Sequence, residues 1–233
     1  MNDKCDNLVF KASFDKANRS SLGGKRGVGI DYMLEDFAVM STMFPELEFL
    51  TDVHTVEQIE TVRKSGIIDI VQIPAFLCRQ TDLVVAAVES GMKVNIKKGQ
   101  FLAPWDMEGI LTKCGDKKDQ VMVTERGTSF GYNTLVNDFT GINWMLDNLP
   151  NPIVMDATHS VQKPGGLGGS SGGNREYVPG VSRAAAALGV RNFFLEVHDD
   201  PDNAPSDGPN MVRLEDINNV VDDINKVIKA LEN

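Results

Sequence analysis

The chain is poor in cysteine, in long apolar runs and in positive charge. Its three cysteines, Cys5, Cys78 and Cys114, form no C-x-x-C pair and leave one odd. That excludes a disulfide-stapled scaffold and suits a reducing, cytoplasmic compartment. No apolar run approaches the roughly 20 residues that a membrane span requires, and Met1-Asn2-Asp3-Lys4 opens nothing like a signal peptide. A net charge of −10 excludes a general nucleic-acid surface. Any phosphate chemistry must therefore come from a local cluster of cations. The glycine-rich stretch QKPGGLGGSSGGN (162–174) lacks the GK[ST] ending of a Walker loop. It reads instead as a mobile loop able to close over a reaction, with a plain surface linker as the alternative.

At 233 residues, the length fits one large domain, 1–233, and a hydrophobic content of 42% allows a core that needs no staple. Seven short runs rich in Val, Ile and Phe recur: 8–10, 47–51, 67–73, 92–96, 120–124, 152–155 and 191–195. Between and after them the pattern predicts helices over 31–44, 56–65, 81–91, 105–114, 133–147, 176–189 and 214–231. Most of the runs are apolar without alternation, as in a parallel sheet covered on both faces. Alternating β and α units imply right-handed crossovers and an α/β fold.

Polar chemistry follows nearly every run. Lys11 and Ser13 come after the first, Asp52 and His54 after the second, and Gln72, Pro74 and Phe76 close the third. The fourth ends in Lys97-Lys98, the fifth in Glu125-Arg126, the sixth in Asp156 and His159, the seventh in Glu196 and His198. This distribution favours a (β/α)8 TIM barrel, whose βα loops meet around one mouth, over a doubly wound sheet with its single switch point. The count stops at seven strands, so either a strand is hidden or this chain lacks one.

The stretch KASFDKANRSS (11–21) gathers Lys11, Lys16 and Arg19 with Ser13, Asn18, Ser20 and Ser21 directly after a strand. Phosphate and carboxylate groups need such convergence; a solvated basic loop is the plainer alternative. In TDVHT, Asp52 and His54 share one side of an extended segment, either to hold a substrate hydroxyl or as a satisfied polar pair. In QIPAFLCRQTDL (72–83), Phe76 is free to pack on a ligand, Asp82 reads as a helix N-cap, and Arg79 stays open. Of Lys97 and Lys98 only one can point inward, and parity with Asn95 chooses Lys97. Arg126 adds another cation. His159, Glu196 and Asp207, with His198 nearby, offer imidazole and carboxylate ligands to a divalent first-row metal, although each is more often an ordinary polar residue. HDDPDNAPSDGPN (198–210) forms a second long loop on the same side.

The strings KASFDKANRSS, TDVH, QIPAFLCRQTDL, NIKKGQF, RGTSFGYNTLVND, DATHSVQ, SGGNRE and SDGPN, in order from about residue 9 to 214, closely resemble the 3-deoxy-D-manno-octulosonate 8-phosphate synthase family. The resemblance implies a (β/α)8 barrel that condenses phosphoenolpyruvate with D-arabinose 5-phosphate for lipopolysaccharide synthesis. It makes Lys11, Ser13, Lys16, Gln72, Ala75, Lys97 and Arg126 the phosphoenolpyruvate site. Asn18, Arg19 and Ser20 fall to the sugar phosphate, with Asp52 and Phe76 beside the sugar. Arg79 would reach the sugar phosphate of a neighbouring subunit in a homotetramer, and His159 and Gln162 would lie near the reacting centre. Lys11, Lys16, Asp52, Lys97 and His159 are the expected catalytic set. No organic cofactor is implied. One divalent metal (Mn, Zn or Fe) on His159, Glu196 and Asp207 is, if the chain is of the metal-dependent class that SVQKPGG and NREYVP resemble.

The chain departs from that family before Lys11, where the expected first strand with its Gly-Pro-(Cys or Asn) motif is absent, and Cys5 is too close to Lys11 to serve. Three expectations compete. The reading frame starts late, or the chain is complete and covers its open edges by oligomerising, or it is a non-catalytic remnant that binds sugar phosphate or phosphoenolpyruvate.

Overall fold

All seven apolar runs become strands of one parallel sheet whose spatial order is the order of the chain. The computed structural model describes residues 4–168 and 171–232. Among them the sheet strands are β1 (Val9–Lys11), β2 (Glu48–Asp52), β3 (Ile70–Ile73), β4 (Lys93–Lys97), β5 (Val121–Glu125), β6 (Ile153–Asp156) and β7 (Asn192–Phe194). The helices that follow them are α1 (Ile30–Met43), α2 (Val56–Ser65), α3 (Thr81–Glu89), α4 (Asp106–Thr112), α5 (Phe139–Asn148), α6 (Val178–Leu188) and α7 (Ile217–Leu231). Gly169 and Ser170 of the glycine-rich loop lie outside the described residues.

Local signals set the helix ends. Thr55 and Gln58 form a reciprocal capping box on α2, and Gly66 ends that helix in the left-handed conformation that other residues resist. α7 buries Ile217, Val220 and Ile224, one stripe at helical spacing. The stripes of the helices meet the outward residues of the strands, among them Phe49, Val71, Ile73, Val94, Ile96, Val123 and Met155, in one continuous core. Phe49 is central there, with ring centroids 5.1 Å from Phe37 on α1 and 6.3 Å from Phe10 on β1.

The sheet is curled. Laid flat, seven strands at a spacing of about 4.8 Å would hold the outermost pair roughly 29 Å apart. Instead the ammonium of Lys11 on β1 lies 5.8 Å from the Phe194 ring on β7, and Lys16 Nζ reaches to 4.0 Å from Glu196. The two strands share no ladder. Curling turns the alternate residues Lys11, Asp52, Gln72, Asn95, Lys97, Thr124, Asp156 and Phe194 toward one interior.

Three sequence-based expectations change. The helix expected over 133–147 begins only at Phe139, because Leu135–Val136 pair antiparallel with Thr128–Ser129 and Asn133 turns left-handed at φ 53°. The third strand begins at Ile70, since Asp69 uses its carboxylate to accept the Phe49 N–H at 2.8 Å. Asp82 is not the N-cap of α3: Gln80 holds that position, and Asp82 lies in the first turn, where its charge meets the positive end of the helix. Among the described residues no helix is long and apolar enough to cross a membrane.

Phe49 is 2% exposed and Phe10 37%. Truncating Phe49 to alanine should therefore lower the unfolding free energy by about 3–5 kcal/mol, and Phe10→Ala by only about 1–2 kcal/mol. Urea denaturation of both variants measures the difference.

Candidate active site

Strand alternation decides which of two adjacent lysines serves the interior. Lys97, the last residue of β4, points inward, forms a very short ion pair with Asp156 at the end of β6, and stacks 3.4 Å from the Phe194 ring centroid. Lys98 points to the other face. It pairs with Glu125 at 3.3 Å and donates to the Leu102 carbonyl and Thr128 Oγ1, each at 3.2 Å. Both lysines are buried, but only Lys97 belongs to the mouth.

Around that mouth the charges alternate in sign. Lys11 Nζ donates to Ser13 Oγ at 2.7 Å and lies 3.3 Å from Asp52 Oδ1; Ser13 donates in turn to the same carboxylate through a short bond. His54 Nε2 is 3.1 Å from the other Asp52 oxygen. Asp156 also holds His159, with Nδ1 at 2.8 Å, and His159 Nε2 stands 3.3 Å from Glu196 Oε2. Arg126 Nη2 donates to Gln162 Oε1 at 2.8 Å, and Gln162 Nε2 donates to Asp207. Below this layer Asn95 donates to Gln72 Oε1 at 3.2 Å and accepts from Thr124.

Burial and pairing shift these groups in different directions. Burial disfavours the charge on Lys11, but Asp52, Glu196 and Asp156 outweigh it and raise its pKa. Burial dominates for Lys97, whose ammonium is pulled down to about 8 despite Asp156. Burial also opposes ionisation of Asp52 and Asp156. Lys11 with His54 and Ser13 overcomes it at Asp52; His159, Lys97 and Arg126 overcome it at Asp156. Both carboxyls end far below the usual carboxylate range. The result is a mouth whose buried cations are matched by carboxylates.

The loop after β1 carries Asn18 and Ser20 exposed and Arg19 half-buried, with its Nε partnerless. Ala75 is buried after β3, while Phe76 is 55% exposed. Arg79 is exposed on the following turn, its carbonyl held by Lys113. The geometry brings together Lys11, Ser13, Lys16, Asp52, Lys97, Arg126, His159, Gln162, Glu196 and Asp207, and leaves Arg79 facing outward.

Ligand atoms of His159, Glu196 and Asp207 lie within 4.8 Å of one another. Glu196 Oε2 is buried and accepts no hydrogen bond, with His159 Nε2 3.3 Å away, and a cation would satisfy it. One imidazole and two carboxylates suit Mn, Zn or Fe and leave coordination positions open. His198 lies outside this cluster; its Nδ1 accepts the Asp200 N–H at 2.9 Å. Asp156 and Phe194 were absent from the sequence-based set. Asp156 was legible as a polar strand end, and Phe194 only through the curl that faces β7 toward β4.

A family model described as the DAHP synthetase I family matches residues 4–232. The 2-dehydro-3-deoxyphosphooctonate aldolase of Agrobacterium fabrum (strain C58 / ATCC 33970) is 54% identical over 222 residues, 93% of this chain and 77% of that one. The protein of the same name from Rhizobium meliloti (strain 1021) is 57% identical over 211 residues, covering 90% and 74%. That from Brucella anthropi is 55% identical over 217 residues, covering 92% and 77%.

Removing the ammonium of Lys98 strands Glu125 in the protein interior. Lys98→Met is expected to lose about 3–5 kcal/mol of stability. Most of that loss should return in the Lys98→Met, Glu125→Gln double variant, and denaturant titration of the three proteins checks it.

Proposed function

The chain belongs to the DAHP synthetase I family, and from that premise we propose that it is a transferase condensing phosphoenolpyruvate with D-arabinose 5-phosphate and water, to give 3-deoxy-D-manno-octulosonate 8-phosphate and inorganic phosphate. The observation that carries this reading is identity of 54–57% to relatives named 2-dehydro-3-deoxyphosphooctonate aldolase over at least 90% of the chain. The product is a precursor for lipopolysaccharide. The curled seven-stranded sheet is read as most of a (β/α)8 barrel in one catalytic domain, with the place of an eighth strand between β7 and β1. In support, those two edge strands are half-exposed, whereas β3 and β6 are buried throughout.

In the reaction, C3 of phosphoenolpyruvate forms a bond to the sugar aldehyde carbon and the oxygen of water bonds to C2. The C2–O bond to phosphate then breaks with release of inorganic phosphate, one proton of the water ending on the former aldehyde oxygen and the other on the phosphate, while the water oxygen becomes the C2 carbonyl. Lys11, Lys16, Lys97 and Arg126 neutralise the phosphate and carboxylate of phosphoenolpyruvate, with Ser13, Gln72 and the Ala75 backbone completing its pocket. Asn18, Arg19 and Ser20 hold the sugar phosphate, and Asp52 and Phe76 orient the sugar. Fixed cations stabilise the charge that develops between two anionic substrates, and alignment of the two supplies much of the rate. His159 stands between Asp156 and Glu196, where it can hold a proton or a ligand at Nε2, and Gln162 aligns Arg126. A divalent ion on His159, Glu196 and Asp207 would act as a Lewis acid toward the aldehyde or a water. Arg79, exposed beside Phe76, suits a subunit contact in a cytoplasmic homotetramer.

Following phosphoenolpyruvate consumption by the purified chain tests this directly. Consumption that requires arabinose 5-phosphate, disappears on chelation and returns with Mn²⁺ is the expected result. Consumption indifferent to chelation would remove the metal and keep the synthase. A folded protein that binds either substrate without turnover would make it a binding protein.

The Lys97 ammonium has a further consequence. Its charge is present below about 8 and lost above it, so the affinity of the free protein for phosphoenolpyruvate should fall as pH rises through that value. Lys97→Arg keeps the charge at all these pH values, and its binding curve should lack the decline; titration calorimetry across about pH 7–9, roughly one unit on either side of that midpoint, reads both.

A further inference from the structure

Arg175 closes the glycine-rich segment and opens the short turn Arg175–Tyr177, and none of the chemistry above uses it. Its Nη2 donates twice, to the Gly208 carbonyl at 2.7 Å and to Asp202 Oδ1 at 2.9 Å. The second Asp202 oxygen accepts from Arg213 Nη2 at 2.6 Å. The Asp202 pairs are exposed and contribute little by themselves. The bond to Gly208 is different: it is charge-assisted, part-buried, and made to the residue directly after Asp207.

Asp207 holds an uncommon backbone. It is left-handed at φ 57°, a conformation that Asp adopts more readily than most residues but that still costs more than the right-handed one. The segment around it is clamped by close approaches. A Cβ at Gly208 would stand 2.1 Å from the Pro201 carbonyl oxygen, and one at Gly173 would stand 2.7 Å from the Asn210 Cβ. The Asn210 N–H donates to the Asp207 carbonyl at 3.0 Å. Arg175 ties the two loops together through the Gly208 carbonyl and Asp202. The Asp207 carboxylate meanwhile accepts from Gln162 on the first of those loops.

We propose that Arg175 is a positioning residue: by holding the Gly208 carbonyl it keeps Asp207 in its left-handed turn, and so keeps the Asp207 carboxylate beside His159 and Glu196. This rests on the reading of those three residues as a metal site. Loss of Arg175 releases the turn, and the cluster retains two firm ligands of three. Supporting groups of this kind typically change metal affinity 10- to 100-fold. The cations assigned to phosphoenolpyruvate stand on other elements, and of them Arg126 alone is linked to Asp207, through Gln162.

Equilibrium dialysis of Mn²⁺ against the full chain tests this, using the unaltered protein, Asp207→Ala, Arg175→Ala, Arg175→Lys and Arg183→Ala. Arg183 pairs with Asp223 at 3.1 Å, outside both loops, and controls for loss of a surface arginine. The expected result is binding weakened about 10- to 100-fold by Arg175→Ala and unchanged by Arg183→Ala. Arg175→Lys, which can still reach the carbonyl, should fall between. Phosphoenolpyruvate affinity without metal, which reaches Asp207 only through Gln162 and Arg126, should fall much less than Mn²⁺ affinity in Arg175→Ala, and an equal fall in both would mean general loosening and overturn the proposal. If Arg175→Ala does not fold, Arg175→Met, which keeps most of the side-chain volume but cannot donate to the Gly208 carbonyl, carries the test, and unaltered Mn²⁺ affinity in it overturns the proposal. Unaltered Mn²⁺ affinity in a folded Arg175→Ala overturns it as well, while Asp207→Ala still loses binding. Equal binding by the unaltered protein and Asp207→Ala instead overturns the metal reading itself.

Discussion

The ion pair between Lys97 and Asp156 is the contact on which the mouth of this sheet depends. It joins β4 to β6 across the intervening β5, with both side chains buried and the Phe194 ring against the ammonium. A buried pair seldom adds much net stability, but removing either partner leaves an uncompensated charge. Asp156 does more than balance Lys97, since its oxygens also engage His159 and Thr158. One carboxylate thus ties the cationic half of the site to the imidazole and carboxylates that could hold a metal.

Around that pair the molecule resolves a problem of charge. The chain is acidic overall, yet it must hold two phosphorylated ligands in the proposed reaction. Three cations, Lys11, Lys97 and Arg126, are therefore drawn into a low-dielectric mouth, and each is balanced by local acceptors. Lys98 marks the limit of the arrangement. One residue beyond Lys97 it faces the opposite side, and its charge goes to Glu125 and to joining β4 with the turn after β5.

The loops after β6 and β7 supply the other half of the site and are held by different means. They carry Gln162 and Asp207, and they are braced by glycine close approaches, by short two-stranded ladders at 162–163 with 172–173 and 197–198 with 212–213, and by Arg175. A strand end is placed by its sheet. A loop carboxylate has to be placed by contacts built for it.

Seven strands, seven helices and the inward choice of Lys97 over Lys98 were legible in the sequence, because burial on both faces leaves apolar runs and alternation assigns sides. The polar residue at each strand end was equally legible, and with it most of the candidate site. The helix expected from residue 133 was not, since Leu135 and Val136 belong to a small ladder whose partner strand no periodicity reveals. Nor did the sequence expose the roles of Phe194, Asp156 or Arg175. Those depend on which strands face each other across the interior and on which carbonyl a distant loop presents. Local sequence determined the elements and their sides through short-range propensity and pattern. The curl of the sheet and the closeness of the loops arise from contacts between residues far apart along the chain, and only the tertiary structure decides them.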